Sequence, residues 1–293
     1  MVWQGVLCYA AAMEQRFDTK TEAIRHAPWR RLMDRSLGRA RSVPTMLSLE
    51  EQKLYHWLTA FWADGAGAIV DLGCFAGGST ARLAEGHRIA GLVSAIHAYD
   101  RFTADEDVKQ SILYKQGLSP FEGNDILPLA RDLLAPWGDA IHFHRGEIDQ
   151  MSWEGGPIEI LVMDASKAAE TMDRMAEAFF PYLVPGRSLI VQQDFLHWSQ
   201  PWVPVQMERM PVHFTPLAYA PRDTVVFLCT EAPDREALAT ARTAHLSDSE
   251  LVAHLEVAAR SFSDWGLEQR LRDMIDGLRA NPGKRRAYQF RKP

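Results

Sequence analysis

The 293-residue sequence is poor in cysteine, in long apolar runs and in net positive charge. Its three cysteines, Cys8, Cys74 and Cys229, lie far apart, and none belongs to a C-x-x-C pair. That disfavours a disulfide framework and a cysteine-rich zinc site, and it fits a reducing cytoplasm. No apolar stretch approaches the roughly 18 residues that a membrane-spanning helix needs. Residues 1–13 are mildly apolar but lack a basic leader and a long apolar centre, so no secretory signal is expected. With 32 basic against 38 acidic residues the net charge is −6, the wrong sign for a nucleic-acid clamp held by bulk charge. A Gly-x-Ser-x-Gly elbow and a Walker-type loop are both missing, which sets aside serine hydrolases and P-loop NTPases.

What is present suits a sizeable core, since 47% of residues are hydrophobic and 24% charged. Residues 1–65 read as a helical, partly irregular cap. Within it, Ser48 and Glu51 have capping-box spacing ahead of Leu54, Tyr55, Leu58, Phe61 and Trp62, which recur at a helical period. From residue 66 to 232, short apolar runs alternate with amphipathic stretches. Strands are expected at 68–72, 92–99, 141–144, 158–163 and 188–192, helices at 79–87 and 168–183, and a mixed segment at 103–138 that is helical with a loop through Gly117–Asn124. Such alternation implies crossovers and an α/β core whose parallel sheet is covered on both faces. The runs at 212–220 and 224–228 are separated only by Pro221-Arg222-Asp223. That link is too short for a crossover helix, so the two pair as an antiparallel hairpin. Residues 233–293 form a C-terminal helical extension, and the basic tail from Lys284 is expected to be frayed and solvated.

The most informative stretch is Asp71-Leu72-Gly73-Cys74-Phe75-Ala76-Gly77-Gly78-Ser79, between the first strand and its helix. Gly73 permits a sharp turn, and Gly77 and Gly78 let a ligand approach the backbone. In open parallel sheets ligands bind at such strand ends. A dinucleotide fingerprint needs G-x-G-x-x-G, whereas these glycines run G-x-x-x-G-G. Asp71 would repel a pyrophosphate and attract a cation. Asp100, 29 residues further on, ends the second strand, where a carboxylate can accept both hydroxyls of a ribose. A turn or helix cap is the competing reading of either acid.

The stretch resembles the first motif of class I S-adenosylmethionine-dependent methyltransferases, acid-x-Gly-x-x-x-Gly-x-Ser, matched in order by Asp71, Gly73, Gly77 and Ser79. The resemblance implies a Rossmann-like, seven-stranded, mostly parallel sheet that ends in the hairpin. It implies cofactor contacts from Asp71, Gly73, Cys74, Phe75, Gly77, Gly78 and Ser79 in the turn, and from Asp100 and Arg101 after the second strand. Glu147 or Ile148 would border the adenine, and Asp164 would face the reacting methyl.

Chemistry is expected at the ends of the fourth and fifth strands. Asp164-Ala165-Ser166-Lys167 resembles the Asp-x-x-Lys of catechol and caffeoyl-coenzyme A O-methyltransferases, in which the Asp binds a divalent cation and the Lys helps deprotonate the attacking hydroxyl. A hydroxyl attacks poorly until it loses its proton; a cation lowers its pKa and a base accepts the proton. Lys167 suits the base role if burial or the cation depresses its own pKa. His197 is the alternative base, because its ordinary pKa lies nearest neutrality. Asp164 and Asp194 are the expected metal ligands for Mg²⁺, with the Gln193 carbonyl as a neutral third. Residues 158–195 also resemble macrocin-type sugar O-methyltransferases, with Gln193-Asp194-Phe195 in place of Asp-Asp-aromatic and Ser166 in place of a second Asp. Against this, Asp164 would merely cap the next helix and Lys167 would sit exposed on its first turn. His142 and His144, two apart on one strand, are read as structural.

The sequence thus points to a cytoplasmic S-adenosylmethionine-dependent methyltransferase acting on an oxygen of a sugar or other hydroxylated small molecule. No nucleic-acid or membrane partner is expected, and a homo-oligomer is compatible. Two rivals stand beside it: a scaffold that binds the cofactor without turnover, and a nicotinamide-dependent oxidoreductase.

Overall fold

A computed structural model describes residues 19–292; Cys8 and the reading of residues 1–13 fall outside them. Seven strands form one sheet: β1 (Ala68–Leu72), β2 (Ile96–Asp100), β3 (Ile141–Arg145), β4 (Ile158–Met163), β5 (Leu189–Gln192), β6 (Phe214–Ala220) and β7 (Thr224–Cys229). Their order is β3-β2-β1-β4-β5-β7-β6. The first five run parallel, and β7 pairs antiparallel with both β5 and β6. This is the Rossmann-like, mostly parallel sheet with a terminal antiparallel hairpin that the sequence implied. The order reverses at β1, with β2 on one side and β4 on the other, so a crevice opens at the carboxyl ends of β1 and β4.

The helices are α1 (Leu49–Trp57), α2 (Gly78–Ile89), α3 (Leu127–Leu134), α4 (Ala169–Phe179), α5 (Trp202–Glu208), α6 (Arg235–Ala241), α7 (Asp248–Ser261) and α8 (Glu268–Ala280). Strand side chains alternate between two cores, which buries both faces of the sheet. Val70, Leu72, Leu161, Met163 and Ile190 enter one core, shared with α4–α8. Ile69, Ile160, Val162, Leu189 and Val191 enter the other, shared with α1–α3. The residues before β1 and after β7 therefore cover opposite faces.

The expected capping box starts α1: Glu51 N donates to Ser48 Oγ at 3.3 Å and Ser48 N to Glu51 Oε2 at 2.7 Å. A π-turn over Leu58–Trp62 closes this helical stretch. The following turn is anchored by buried Glu159, whose carboxylate accepts the N–H groups of Asp64, Gly65 and Ala66 at 2.6, 3.0 and 3.1 Å.

Several boundaries differ from expectation. β2 starts at Ile96 rather than at residue 92, because Gly91 takes a positive φ and the chain turns through 94. Helix α5 had no visible signal: six of its residues are buried, so it shows no amphipathic period. The segment 103–138 is helical on either side of a loop that spans 117–124, as expected, and adds an isolated bridge between Thr103 and Asp125. The largest correction concerns the tail. Ala169 N donates to Arg285 O at 2.9 Å and Ala287 N to Lys167 O at 2.8 Å. Arg285 pairs with Asp248 at 2.7 Å, and Phe290 is buried. The basic run is docked beside residues 167–169 by these backbone bonds and is not a frayed end.

Candidate cofactor and active site

The turn after β1 has no room for side chains at its glycines. A Cβ on Gly73 would stand 2.7 Å from the Asp164 carbonyl oxygen, and one on Gly78 would stand 2.5 Å from that of Pro44. Gly73 and Gly77 also hold φ of +101° and +95°, which disfavour any other residue. Asp71 sits beneath the turn, fully buried, and its Oδ2 accepts hydrogen bonds from Ser79 Oγ at 2.7 Å and Thr80 Oγ1 at 2.6 Å. Its Oδ1 is buried without a partner. Burial pushes the Asp71 pKa up to about 6, against the pull of the two hydroxyls.

Asp100 stands across the turn. Its Oδ2 accepts Phe75 N at 3.0 Å and its Oδ1 accepts Phe102 N at 2.7 Å. Phe75 and Phe102 are both non-glycine residues at positive φ, 51° and 54°, so one carboxylate stabilises two strained turns. The turn-capping reading of Asp100 is thus realised, yet each oxygen keeps a further lone pair. Cys74 is buried and its thiol pKa is raised well above the ordinary value, mainly by desolvation, so it offers no thiolate. Arg101 and Glu147 lie 4.0 Å apart as an exposed pair, whereas Ile148 is buried in the α4-side core.

A strap at residues 43–47 crosses the turn, a feature the sequence reading did not single out. Gln116 holds Thr45 through both its backbone N and O, at 2.9 and 3.1 Å. Buried Arg82 donates to Val43 O at 2.8 Å, Arg222 to Met46 O at 3.0 Å, and Gln52 to Leu47 O at 2.9 Å. Pro44, Thr45, Met46 and Leu47 line a narrow cleft together with Gly73, Cys74, Phe75, Gly78, Ser79 and Asp164. The cleft therefore unites the turn with the end of β4. A larger groove of about 540 Å³, between Arg25, Arg30, β6 and Trp265, shares no residue with it.

At the ends of β4 and β5, Lys167 Nζ donates to Asp164 Oδ1 at 3.2 Å and to Asp194 Oδ2. Helix α4 begins at Ala169 with no side-chain cap, so Asp164 does not cap it and Lys167 precedes it. Burial raises the Asp164 pKa to about 7 despite the lowering effect of Lys167. Burial alone would lower the Lys167 pKa, but Asp164 and Asp194 outweigh it and hold the ammonium above its ordinary value. The depressed lysine pKa that a base role requires is not found. His197 donates its backbone N–H to Asp194 O at 3.0 Å, while its ring Nδ1 meets Ser199 Oγ at 3.0 Å. Trp202 is fully buried and donates to Ser166 O at 2.7 Å, so it packs the loop after β4. His142 and His144 stack with His97 as part of the β2–β3 face, in keeping with a structural role.

Gln193 is not a metal ligand. Its Nε2 donates to Glu51 Oε1 at 3.0 Å, and its Oε1 accepts Tyr55 OH at 2.6 Å and Thr224 Oγ1 at 3.0 Å. Its backbone carbonyl accepts Thr224 Oγ1 at 3.3 Å. This buried hub ties α1 to the β5 end. Among the described residues no group of three or more His, Cys, Asp or Glu could hold a metal ion. The expected Mg²⁺ site at Asp164 and Asp194 thus lacks its third ligand.

No family model and no curated protein matches the sequence. Solved structures resemble the chain at low identity. The SAH-bound methyltransferase PaMTH1 of Podospora anserina is 12% identical, covering 78% of this chain and 96% of its own, with a TM-score of 0.43. Cofactor-bound Rv0187 from MTB is 16% identical over 67% and 88%, with a TM-score of 0.44. A candidate O-methyltransferase of Klebsiella pneumoniae is 16% identical over 75% and 100%, with a TM-score of 0.46. At that level the likenesses add no weight beyond the strand order and the geometry of the turn.

Proposed function

We propose that this chain binds S-adenosylmethionine in the turn after β1 and methylates an oxygen of a hydroxylated small molecule, with a sugar as the preferred class. The observation that carries the reading is the Asp71 Oδ1 atom, a buried carboxylate oxygen with no donor, beneath a turn in which Gly73, Gly77 and Gly78 leave no room for a Cβ. An ammonium or a sulfonium satisfies such an atom, whereas a pyrophosphate opposes it. That contrast weighs against the nicotinamide reading. The free lone pairs of Asp100 suit the two hydroxyls of a ribose.

S-adenosylmethionine held there supplies a methyl group already activated by positively charged sulfur. The chain's own part is to bind, orient and accept a proton. Asp71, Asp100 and the glycine turn bind the donor, and the 43–47 strap limits water access. Asp164, with a pKa near neutrality, is suited to take the proton of the acceptor hydroxyl. Lys167, held as an ammonium, orients the acceptor oxygen and is not the base. The His197 imidazole is engaged by Ser199 as Asp164 is by Lys167, but of the two only Asp164 lines the cleft, which makes it the better placed.

Thermal shift tests the cofactor directly. S-adenosylhomocysteine should raise Tm by several degrees and NAD should leave it unchanged. A shift with NAD alone would favour the oxidoreductase. Release of S-adenosylhomocysteine from S-adenosylmethionine across a panel of sugars and phenols would separate an enzyme from a binding scaffold.

A further inference from the structure

The end of the sheet that would hold a divalent cation holds a lysine. A hard cation takes six or more oxygen ligands, with charged ones dominating a protein site. Here two carboxylates converge, and both are bonded to Lys167 Nζ. The residues that would complete a ligand set are committed or neutral. Gln193 faces Glu51, Tyr55 and Thr224. Ser166 is buried, and its hydroxyl meets no partner.

The ammonium is also positioned to do more than neutralise. The side chains of Asp164 and Asp194 are 21% and 13% exposed, while that of Lys167 is 53% exposed. An ammonium has three N–H donors. Two are used by the carboxylates, and the third is left on a half-exposed side chain next to Asp164, which lines the cleft. The loop that carries it is fixed from behind by the docked tail, through Ala287 N to Lys167 O at 2.8 Å.

We propose that Lys167 is the resident cation of this site, standing where a divalent metal would bridge Asp164 and Asp194, with its remaining N–H directed to the acceptor oxygen. The proposal rests on the methyltransferase reading above for what the acceptor is, but the occupancy of the carboxylate pair can be tested without any turnover.

The probe is Mn²⁺, followed by electron paramagnetic resonance on the full chain. Wild type should leave the free Mn²⁺ signal essentially unchanged at submillimolar concentrations. Lys167→Met, which frees the two carboxylates, should bind Mn²⁺ at least tenfold more tightly. Lys167→Arg, which keeps the charge, should behave as wild type, and Lys167→Met with Asp194→Asn should lose the gain. Tight Mn²⁺ binding by wild type that Asp194→Asn abolishes would overturn the proposal. So would a folded Lys167→Met that binds no better than wild type. If Lys167→Met does not fold, the wild-type and Asp194→Asn titrations still decide. S-adenosylhomocysteine binding to the same samples reports on the cofactor reading separately, since its failure would leave the Mn²⁺ comparison standing.

Discussion

Asp71 faces opposed demands. Its carboxylate is buried with one oxygen unpartnered, which destabilises the free protein, and that same oxygen is what a cationic ligand needs. Its pKa rises from 3.8 to about 6, which corresponds to a ceiling of roughly 3 kcal/mol at neutral pH. Asp71→Asn can keep its amide oxygen toward Ser79 and Thr80 and place a neutral NH₂ at the vacant side. The variant is expected to gain on the order of 1–3 kcal/mol at neutral pH. Chemical denaturation of the ligand-free protein checks this, and an equal or lower stability would contradict it. At this scale the sequence was legible where backbone geometry is demanding: Gly73, Gly77 and the acids at the strand ends were all readable in advance. The hub of Glu51, Tyr55, Gln193 and Thr224 was not, because Gln193 lies 138 and 142 residues from Tyr55 and Glu51 and no local pattern links them.

Between elements, the docked tail and the histidine stack each give a test. The tail forms a two-bond bridge to residues 167–169, so Ala287→Pro removes one donor and should loosen the loop that carries Lys167. Hydrogen exchange over residues 164–169 should speed up at least tenfold while strand amides remain protected; unchanged exchange would deny the tail a positioning role. In the β2–β3 face, His97 Nδ1 lies 2.8 Å from His144 Nε2. Burial first, then His144 and His142, push the His97 pKa from 6.5 down to about 4. The unfolded chain takes up this proton near 6.5 and the folded chain only near 4, so this group's stabilisation is present above that window and is lost as pH falls through it. His97→Gln should flatten the acid side of the stability profile by about 1–2 kcal/mol. Denaturation curves across those pH values would show it, and an unaltered slope would contradict it. The tail was misjudged from sequence because charge alone predicts solvation. What docks it is backbone pairing plus buried Phe290, and neither has a periodic signature.

Across the whole molecule, the strand ends gather Asp71, Asp100, Asp164 and Asp194; among the described residues Lys167 pairs with Asp164 and Asp194 and Arg101 acts on Asp100, which leaves the carboxylates in excess. This imbalance favours a cationic ligand, and it makes affinity depend on pH. Protonated Asp71 cannot attract a cation, so S-adenosylmethionine affinity should rise as pH increases through about 6 and then level off. Calorimetric titrations at a series of pH values would reveal the rise; a flat profile would mean that Asp71 does not meet the charge. Sheet and hairpin were legible from alternation and link length, because both cores demand apolar strands and three residues cannot form a crossover. The strap was not, since residues 43–47 are held by side chains from three distant places, with Gln52 nearby, and carry no motif.

The most direct measurement is calorimetric titration of wild type and Asp71→Asn with S-adenosylmethionine near neutral pH. Wild type should bind, and the variant should bind at least tenfold more weakly while remaining at least as stable. Equal affinity in the two proteins, or no binding to wild type, would contradict a cation-binding site at the turn after β1.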